Sequence, residues 1–314
     1  MSEDSSTTST TSTPTPDLSD PTNQNLFQHL QHNPESFEYA TGINIHVFNN
    51  VLLPFVAPVV HSRRNHLGPS QRLSVEDEVV MLLRFLRSGA TYKEVALLYG
   101  LSEPTVRQSI KLNVTEFSEI SSLLVYWVPL EQMYQRIIDD KYPQFNNVCG
   151  IIDATEVRIN KPKVNQQKYY SGKKKCHTIK FHIVVQPITG LIMYVGTVHA
   201  GSRHDFRMFE KSKVMDMVGD NEALMGDRGY VGMDKYINAT VPFKRVGRVA
   251  LSVDDYTFNS RSSSHRMIVE HVIGRMKNFK ILKKKWQGKL NNLEFLDKVV
   301  LLVAELVNLV LLSN

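Results

Sequence analysis

The chain has 314 residues, 42% of them hydrophobic, which suffices for one large domain with appendages or for two domains. Its formal charge is +6 and its pI near 9.1, a moderate basic excess that suits a polyanionic partner. Two cysteines, Cys149 and Cys176, exclude a disulfide framework and a cysteine-built zinc set, and fit a reducing intracellular compartment. No membrane is expected as partner: the N-terminus lacks an apolar signal core, and the richest apolar segment, 299–312, is short and interrupted by Glu305 and Asn308.

Residues 1–23 are Ser, Thr, Pro and Asp with one leucine, a composition that predicts a disordered tail. Over 24–70 an apolar run is broken by Pro54 and Pro58, and only a short helix near residues 26–32 is predicted. From Leu73 the pattern sharpens. Ser74 with Asp77 and Glu78 opens a helix whose apolar positions Val79, Val80, Leu82, Leu83 and Leu86 recur at helical spacing until Gly89. A second helix over 91–99 turns Val95, Ala96 and Leu98 inward, Gly100 permits a tight turn, and Ser102 caps a third helix carrying Val106 and Ile110. Three short helices in this order, with a small residue at the crossing and a glycine four later, predict a helix-turn-helix over 73–112 within an N-terminal helical domain, 24–145. Its third helix would present Glu103, Thr105, Arg107, Gln108 and Lys111 to DNA; a plain helical hairpin is the alternative. Residues 114–142 read as a helical link ended by Pro143.

Strand-like runs then open a second domain, 146–314. They cover 148–153, 156–159, 178–186 and 191–198, the last two joined as a hairpin through Pro187-Ile188-Thr189-Gly190. Short helices over 202–209 and 211–218, a parallel strand over 223–226, a long helix over 264–282 and a closing apolar helix over 293–312 complete an α/β or α+β sheet with helices packed on it.

Two acids end apolar runs, Asp153 after Val148-Cys149-Gly150-Ile151-Ile152 and Asp227 after Leu224-Met225-Gly226, and a third, Glu270, lies within the long helix. Taken singly, each aspartate reads as a turn cap and Glu270 as the partner of Arg266 on a solvated face. Taken together, two strand-end aspartates and a helix glutamate form a hard-oxygen set for Mg²⁺ or Mn²⁺, two ions of which promote in-line displacement at a phosphodiester. A zinc site from Cys176, His177, His182, His199 and His204 matches no ligand spacing. Lys161, Lys163, Lys168, Lys173, Lys174, Lys175 and Lys180, interleaved with Tyr169 and Tyr170, favour a phosphate substrate, as do Lys283, Lys284 and Lys285.

These residues resemble the Harbinger-type DDE transposases, with the host nucleases derived from them and the related bacterial insertion-sequence enzymes. The likeness rests on Ile151-Ile152-Asp153-Ala154-Thr155, Tyr169-Tyr170-Ser171-Gly172-Lys173-Lys174-Lys175, Gly201-Ser202-Arg203-His204-Asp205, Gly226-Asp227-Arg228-Gly229-Tyr230, Arg266-Met267-Ile268-Val269-Glu270 and Gly274-Arg275-Met276-Lys277. It covers about residues 148–310, and Ala154 stands where the family usually has glycine. The resemblance implies a ribonuclease-H-like mixed sheet with flanking helices, with Asp153, Asp227 and Glu270 as the catalytic, metal-binding triad, and assigns His204 and Asp205 no catalytic part. It implies metal-dependent cleavage and strand transfer of double-stranded transposon ends into target DNA, on which the helix-turn-helix and the basic stretch would set Thr105, Arg107, Gln108, Lys111 and Lys173 to Lys175. It allows a homo-oligomer and an accessory DNA-binding protein, and leaves open a host-adopted DNA-binding or nuclease protein without transposition. A eukaryotic nucleus is the expected location, on the Ser/Thr-rich tail and Lys283 to Lys285, and the cytoplasm otherwise.

Overall fold

A computed structural model describes residues 26–67, 73–120, 123–133, 145–245, 250–290 and 293–313. The expected tail, 1–23, and the end of the expected link at Pro143 lie outside the described residues. The chain opens with α1 (Leu26–Leu30) and α2 (Pro34–Thr41). The apolar run with two prolines, expected to be broken, is helical throughout: Ile45–Val47, Phe48–Leu52 and Leu53–Leu67 run on as one helix, α3. Its middle turn is wound as π-helix immediately before Pro54, with the Leu53 N–H donating to the Phe48 carbonyl, and Pro58 sits inside the last stretch. Ile45–Asn65, of mean hydropathy 1.3, is long and apolar enough to cross a membrane by length and composition. Here Phe48, Val56 and Val60 seat it in the core, and Arg63 and Arg64 pair with Glu78.

Three helices follow with short turns between them: α4 (Val75–Ser88), α5 (Tyr92–Tyr99) and α6 (Glu103–Ile120). Ser74 caps α4 by accepting the Asp77 N–H, Thr91 and Glu94 form a capping box on α5, and Gly89 and Gly100 end α4 and α5 in the left-handed region. The inward face of α5 differs from the expected one. Val95, Ala96 and Tyr99 are buried, whereas Leu98 is 43% exposed, because an eight-residue helix has one narrow stripe and the Tyr99 ring fills it. Val106 and Ile110 of α6 are fully buried. Glu78 lies inside this helical layer, where Arg63, Arg64, Ser109 and Asn113 all bond its carboxylate.

The sheet is mixed. β1 (Val148–Arg158) is one strand where two were expected, because nothing in Ala154-Thr155 turns the chain and β3 (Cys176–Val185) pairs antiparallel with it from Ile151↔Val185 to Arg158↔Thr178. β2 (Tyr170–Ser171), β4 (Ile192–Val195) and β5 (His199–Ala200) also pair with β3. On the other side of β1 lie β6 (Ala223–Met225), parallel to it, and β7 (Ala239–Thr240), parallel to β6. The helices after β5 are shorter than expected, a 3₁₀ turn at Lys213–Asp216 and α7 (Asp205–Phe209).

Past a register shift between Val148 and Gly150, side chains alternate across β1, and its two faces meet two cores. Ile151 and Val157 face α8 (Val253–Asn278) and α9 (Leu293–Leu312), while Cys149 and Ile152 face Phe209, Tyr230 and Met233. α8 begins well before the expected start. Its first turns, rich in Ser, Thr and Asn, have weak helix propensity, but Ser252 and Asp255 supply a capping box. α9 is apolar nearly all round because it is covered on two sides. Asn308 bonds both backbone groups of Ile192 at 2.8 Å, and Lys298 reaches Glu119 of α6 at 3.3 Å. One continuous core therefore joins the N-terminal helices to one face of the sheet. Backbone bonds lock the junction: Lys280 and Ile281 donate to Arg87 and Leu86 at 3.0 and 3.1 Å.

Candidate active site

Ile151 of β1 is in register with Met225 of the parallel neighbour β6. Two residues further on, Asp153 and Asp227 lie on adjacent chain segments, close enough that the Asp227 charge opposes the ionisation of Asp153. Asp153 is not at a strand end as expected but in the middle of β1. The strand that ends is β6, so Asp153 keeps β3 on one side and projects past β6 on the other. Asp227 caps a 3₁₀ turn, Arg228–Tyr230, and its Oδ1 accepts the Gly229 N–H at 2.8 Å. Asp153 Oδ1 accepts the N–H of Ala154 at 2.8 Å. Burial, with repulsion from Asp227 and Asp205, pushes the Asp153 carboxyl up to about 6 against the pull of the Ala154 N–H and Arg266.

Glu270 is placed differently. Val269, Val272 and Met276 of α8 are buried, and Glu270 stands on the edge of that stripe, its side chain 60% exposed and 4.0 Å from Arg266. Arg266, itself 13% exposed, turns inward and eases the ionisation of Asp153. Lys277, further along the same edge, interacts with Glu156 and Asp153. Glu270 thus sits in a row with two cations that interact with Asp153, its own carboxylate largely exposed beside Arg266. Among the described residues no group of three or more His, Cys, Asp or Glu side chains lies close enough together to hold a metal ion. Asp153 and Asp227 are brought side by side and Glu270 is not. The histidines do not gather either; His182 is buried and neutral, pushed down to about 3 by burial and by His199.

A third aspartate, which the sequence reading placed in a motif and gave no catalytic part, lies beside these two. Asp205, at the start of α7, is paired with Lys180 at 3.0 Å. The Asp227-Arg228-Gly229 turn brings it against Asp227, since a Cβ on Gly229 would meet Asp205 Oδ2 at 2.6 Å and Asp227 Oδ1 at 2.9 Å. The sequence signal was there in the Gly201 to Asp205 motif and in a glycine two residues after Asp227. Lys180, expected on the phosphate backbone, is instead 13% exposed and held by Asp205 and Glu156.

The other cations are displayed. Lys173, Lys174 and Lys175 project from the β2–β3 turn, where Lys175 takes φ 54° and donates its N–H to Ser171 at 2.8 Å. Lys173 and Lys174 come near enough to Lys277 to lower its proton affinity, after burial, so this turn flanks the acids. Lys283, Lys284 and Lys285 are exposed just past α8, Lys284 close to Glu94 of α5. On α6, Thr105, Arg107, Gln108 and Lys111 are all exposed. Thr105 is partly occupied with the cap, its hydroxyl 2.7 Å from that of Ser102, and Arg107 pairs with Glu103 and lies over the Tyr92 ring at 5.0 Å.

A mixed sheet that sets two aspartates side by side and rims them with lysines is the arrangement of a phosphodiester-directed enzyme. A family profile, DDE superfamily endonuclease, matches residues 152–308, and the chain belongs to that family. It is 28% identical over 255 residues, 81% of this chain and 87% of the relative, to a protein named as a transposase for insertion sequence element IS702 of Microchaete diplosiphon. It is 24% identical over 217 residues, 69% of this chain and 74% of the relative, to one named for insertion sequence element IS112 of Streptomyces albus G. No solved structure matches it.

Proposed function

We propose that the chain is a DNA transposase or endonuclease that cuts with divalent metal held by Asp153 and Asp227, with Glu270 as the third acid of the triad on a ribonuclease-H-like sheet. The observation that carries this reading is the parallel pairing of Ile151 with Met225, which brings Asp153 and Asp227, each two residues further on, near enough for Asp227 to oppose the ionisation of Asp153. Two partly buried carboxylates, Asp153 with its proton affinity raised by burial and by Asp227, each with one oxygen on a backbone N–H, suit a hard cation such as Mg²⁺ or Mn²⁺. When bound, one or two such ions activate the attacking oxygen and stabilise the leaving one. The residues supply the rest. Asp153 and Asp227 fix the donor oxygens, and Arg266 offsets their charge from the α8 side. Glu270 is supported by its place on the helix edge shared with Arg266 and Lys277. The exposed lysines at 173–175 and 283–285 hold phosphates of double-stranded DNA, and α4 to α6 act as a helix-turn-helix that grips transposon-end DNA through Arg107, Gln108 and Lys111.

The test is cleavage of supercoiled plasmid with Mg²⁺ or Mn²⁺ and with chelator, using wild type, Asp227→Asn, Glu270→Gln and, on an exposed position outside the site, Glu294→Gln. Metal-dependent nicking by wild type and Glu294→Gln, lost in Asp227→Asn and Glu270→Gln, is expected. Nicking by Glu270→Gln at the wild-type rate removes Glu270 from the triad, and equal nicking by Asp227→Asn overturns the reading. The outward position of Glu270 favours a second reading, a host-adopted DNA-binding protein whose nuclease has lapsed. It predicts tight DNA binding and no metal-dependent nicking by wild type.

A further inference from the structure

The ion pair between Lys180 and Asp205 is unexplained by the triad, yet it abuts the triad's central aspartate. Lys180 is in register with Glu156 on β1 and holds Asp205 at 3.0 Å and Glu156 at 3.7 Å, which fixes the Asp205 carboxylate in a half-buried position. Its other oxygen closes against Gly229, whose N–H is the donor that orients Asp227 Oδ1. The hydroxyl of Tyr230, the next residue, is fully buried and has no hydrogen-bond partner among the described residues. Burial first, then Asp205, Asp153 and Asp227, oppose its ionisation and Arg266 eases it.

We propose that Asp205 is a positioning residue for the metal site: braced by Lys180, it packs the Gly229 peptide against Asp227 and sets the direction of the Asp227 carboxylate. This rests on the metal reading above. A side chain behind a metal ligand sets affinity through the ligand's orientation, and its loss costs about 10–100-fold. Asp205→Asn keeps the shape and removes the charge that Lys180 holds. Gly229→Ala pushes on both carboxylates at once.

The experiment is Mn²⁺ titration by calorimetry at neutral pH, beside hydrogen exchange of segment 226–232 in chelator. With wild type, Asp205→Asn, Gly229→Ala, Asp227→Asn and Glu294→Gln, the expected result is Mn²⁺ affinity about tenfold or more weaker in Asp205→Asn and Gly229→Ala, unchanged in Glu294→Gln and abolished in Asp227→Asn. Faster exchange at the Gly229 amide in Asp205→Asn, with the thermal midpoint held, is expected as well. Wild-type Mn²⁺ affinity in Asp205→Asn overturns the proposal. If Asp227→Asn binds Mn²⁺ like wild type, the metal reading is what fails; the exchange data then decide the brace by themselves, and unaltered exchange in Asp205→Asn overturns it.

Discussion

At the scale of a residue, Asp153 works against the fold. Burial, Asp227 and Asp205 raise its carboxyl from an ordinary 3.8 to about 6. Between about pH 4 and pH 6 the unfolded chain has shed this proton while the folded chain still holds it, so the contribution of Asp153 to stability falls as pH rises through that window. Above it the penalty is constant, at most about 3 kcal/mol. Asp153→Asn is therefore expected to be more stable than wild type at pH 7.5 and nearly equal at pH 4, in urea unfolding with chelator present. An Asn variant no more stable at pH 7.5 contradicts this. A functional acid that destabilises its own fold is the usual cost of a binding site. The sequence placed Asp153 beside a buried run, which is why it was legible as a candidate, but its partners in repulsion came from β6 and α7, far along the chain.

Among elements, α6 and the α4–α8 junction carry the most testable load. The outer face of α6 holds Arg107 and Lys111, both exposed, on a helix whose inner face is fixed by Val106 and Ile110. Arg107→Ala with Lys111→Ala is expected to weaken DNA binding and to lower the slope of log affinity against log salt by about 2, one for each phosphate no longer neutralised. Binding unchanged at every salt concentration, measured by fluorescence anisotropy, contradicts a DNA role for this face. Helical periodicity revealed α4 and α6, but it could not reveal that α3 continues through Pro54, where a π-wound turn precedes the proline, and on through Pro58. Nor could it place Leu98, whose exposure was decided by Tyr99 winning the buried side.

Across the whole molecule, the helical N-terminal part and the sheet are not beads on a linker. They share a core and are bonded backbone to backbone where α4 ends on the segment after α8. Gly89 makes this possible: its φ is +58°, and a Cβ there would meet the Lys280 carbonyl carbon and oxygen at 2.7 Å. Gly89→Ala is expected to cost about 1–3 kcal/mol through both strain and overlap. Because the junction belongs to one core, wild type is expected to unfold in a single transition by near-ultraviolet circular dichroism and calorimetry, and Gly89→Ala to lower that one midpoint. Two resolved transitions, only one of them shifted, contradict this.

The sequence by itself determined the periodic elements, their caps and the residues that could carry chemistry, since helix and strand periods, turn glycines and acids beside apolar runs are local features. It also determined the family, through motifs that keep their residues together in the chain. Only the tertiary structure decided which acids meet. Parallel pairing of β6 with β1 set Asp227 beside Asp153. The approach of α7 brought Asp205 against Gly229 and turned Lys180 from a DNA-facing candidate into a largely enclosed counter-ion. The packing of α8 by Val269, Val272 and Met276 fixed the helix's rotation and left Glu270 on its edge, toward Arg266. Such contacts join residues far apart in sequence, and no local period records the angle at which one element comes to rest on another.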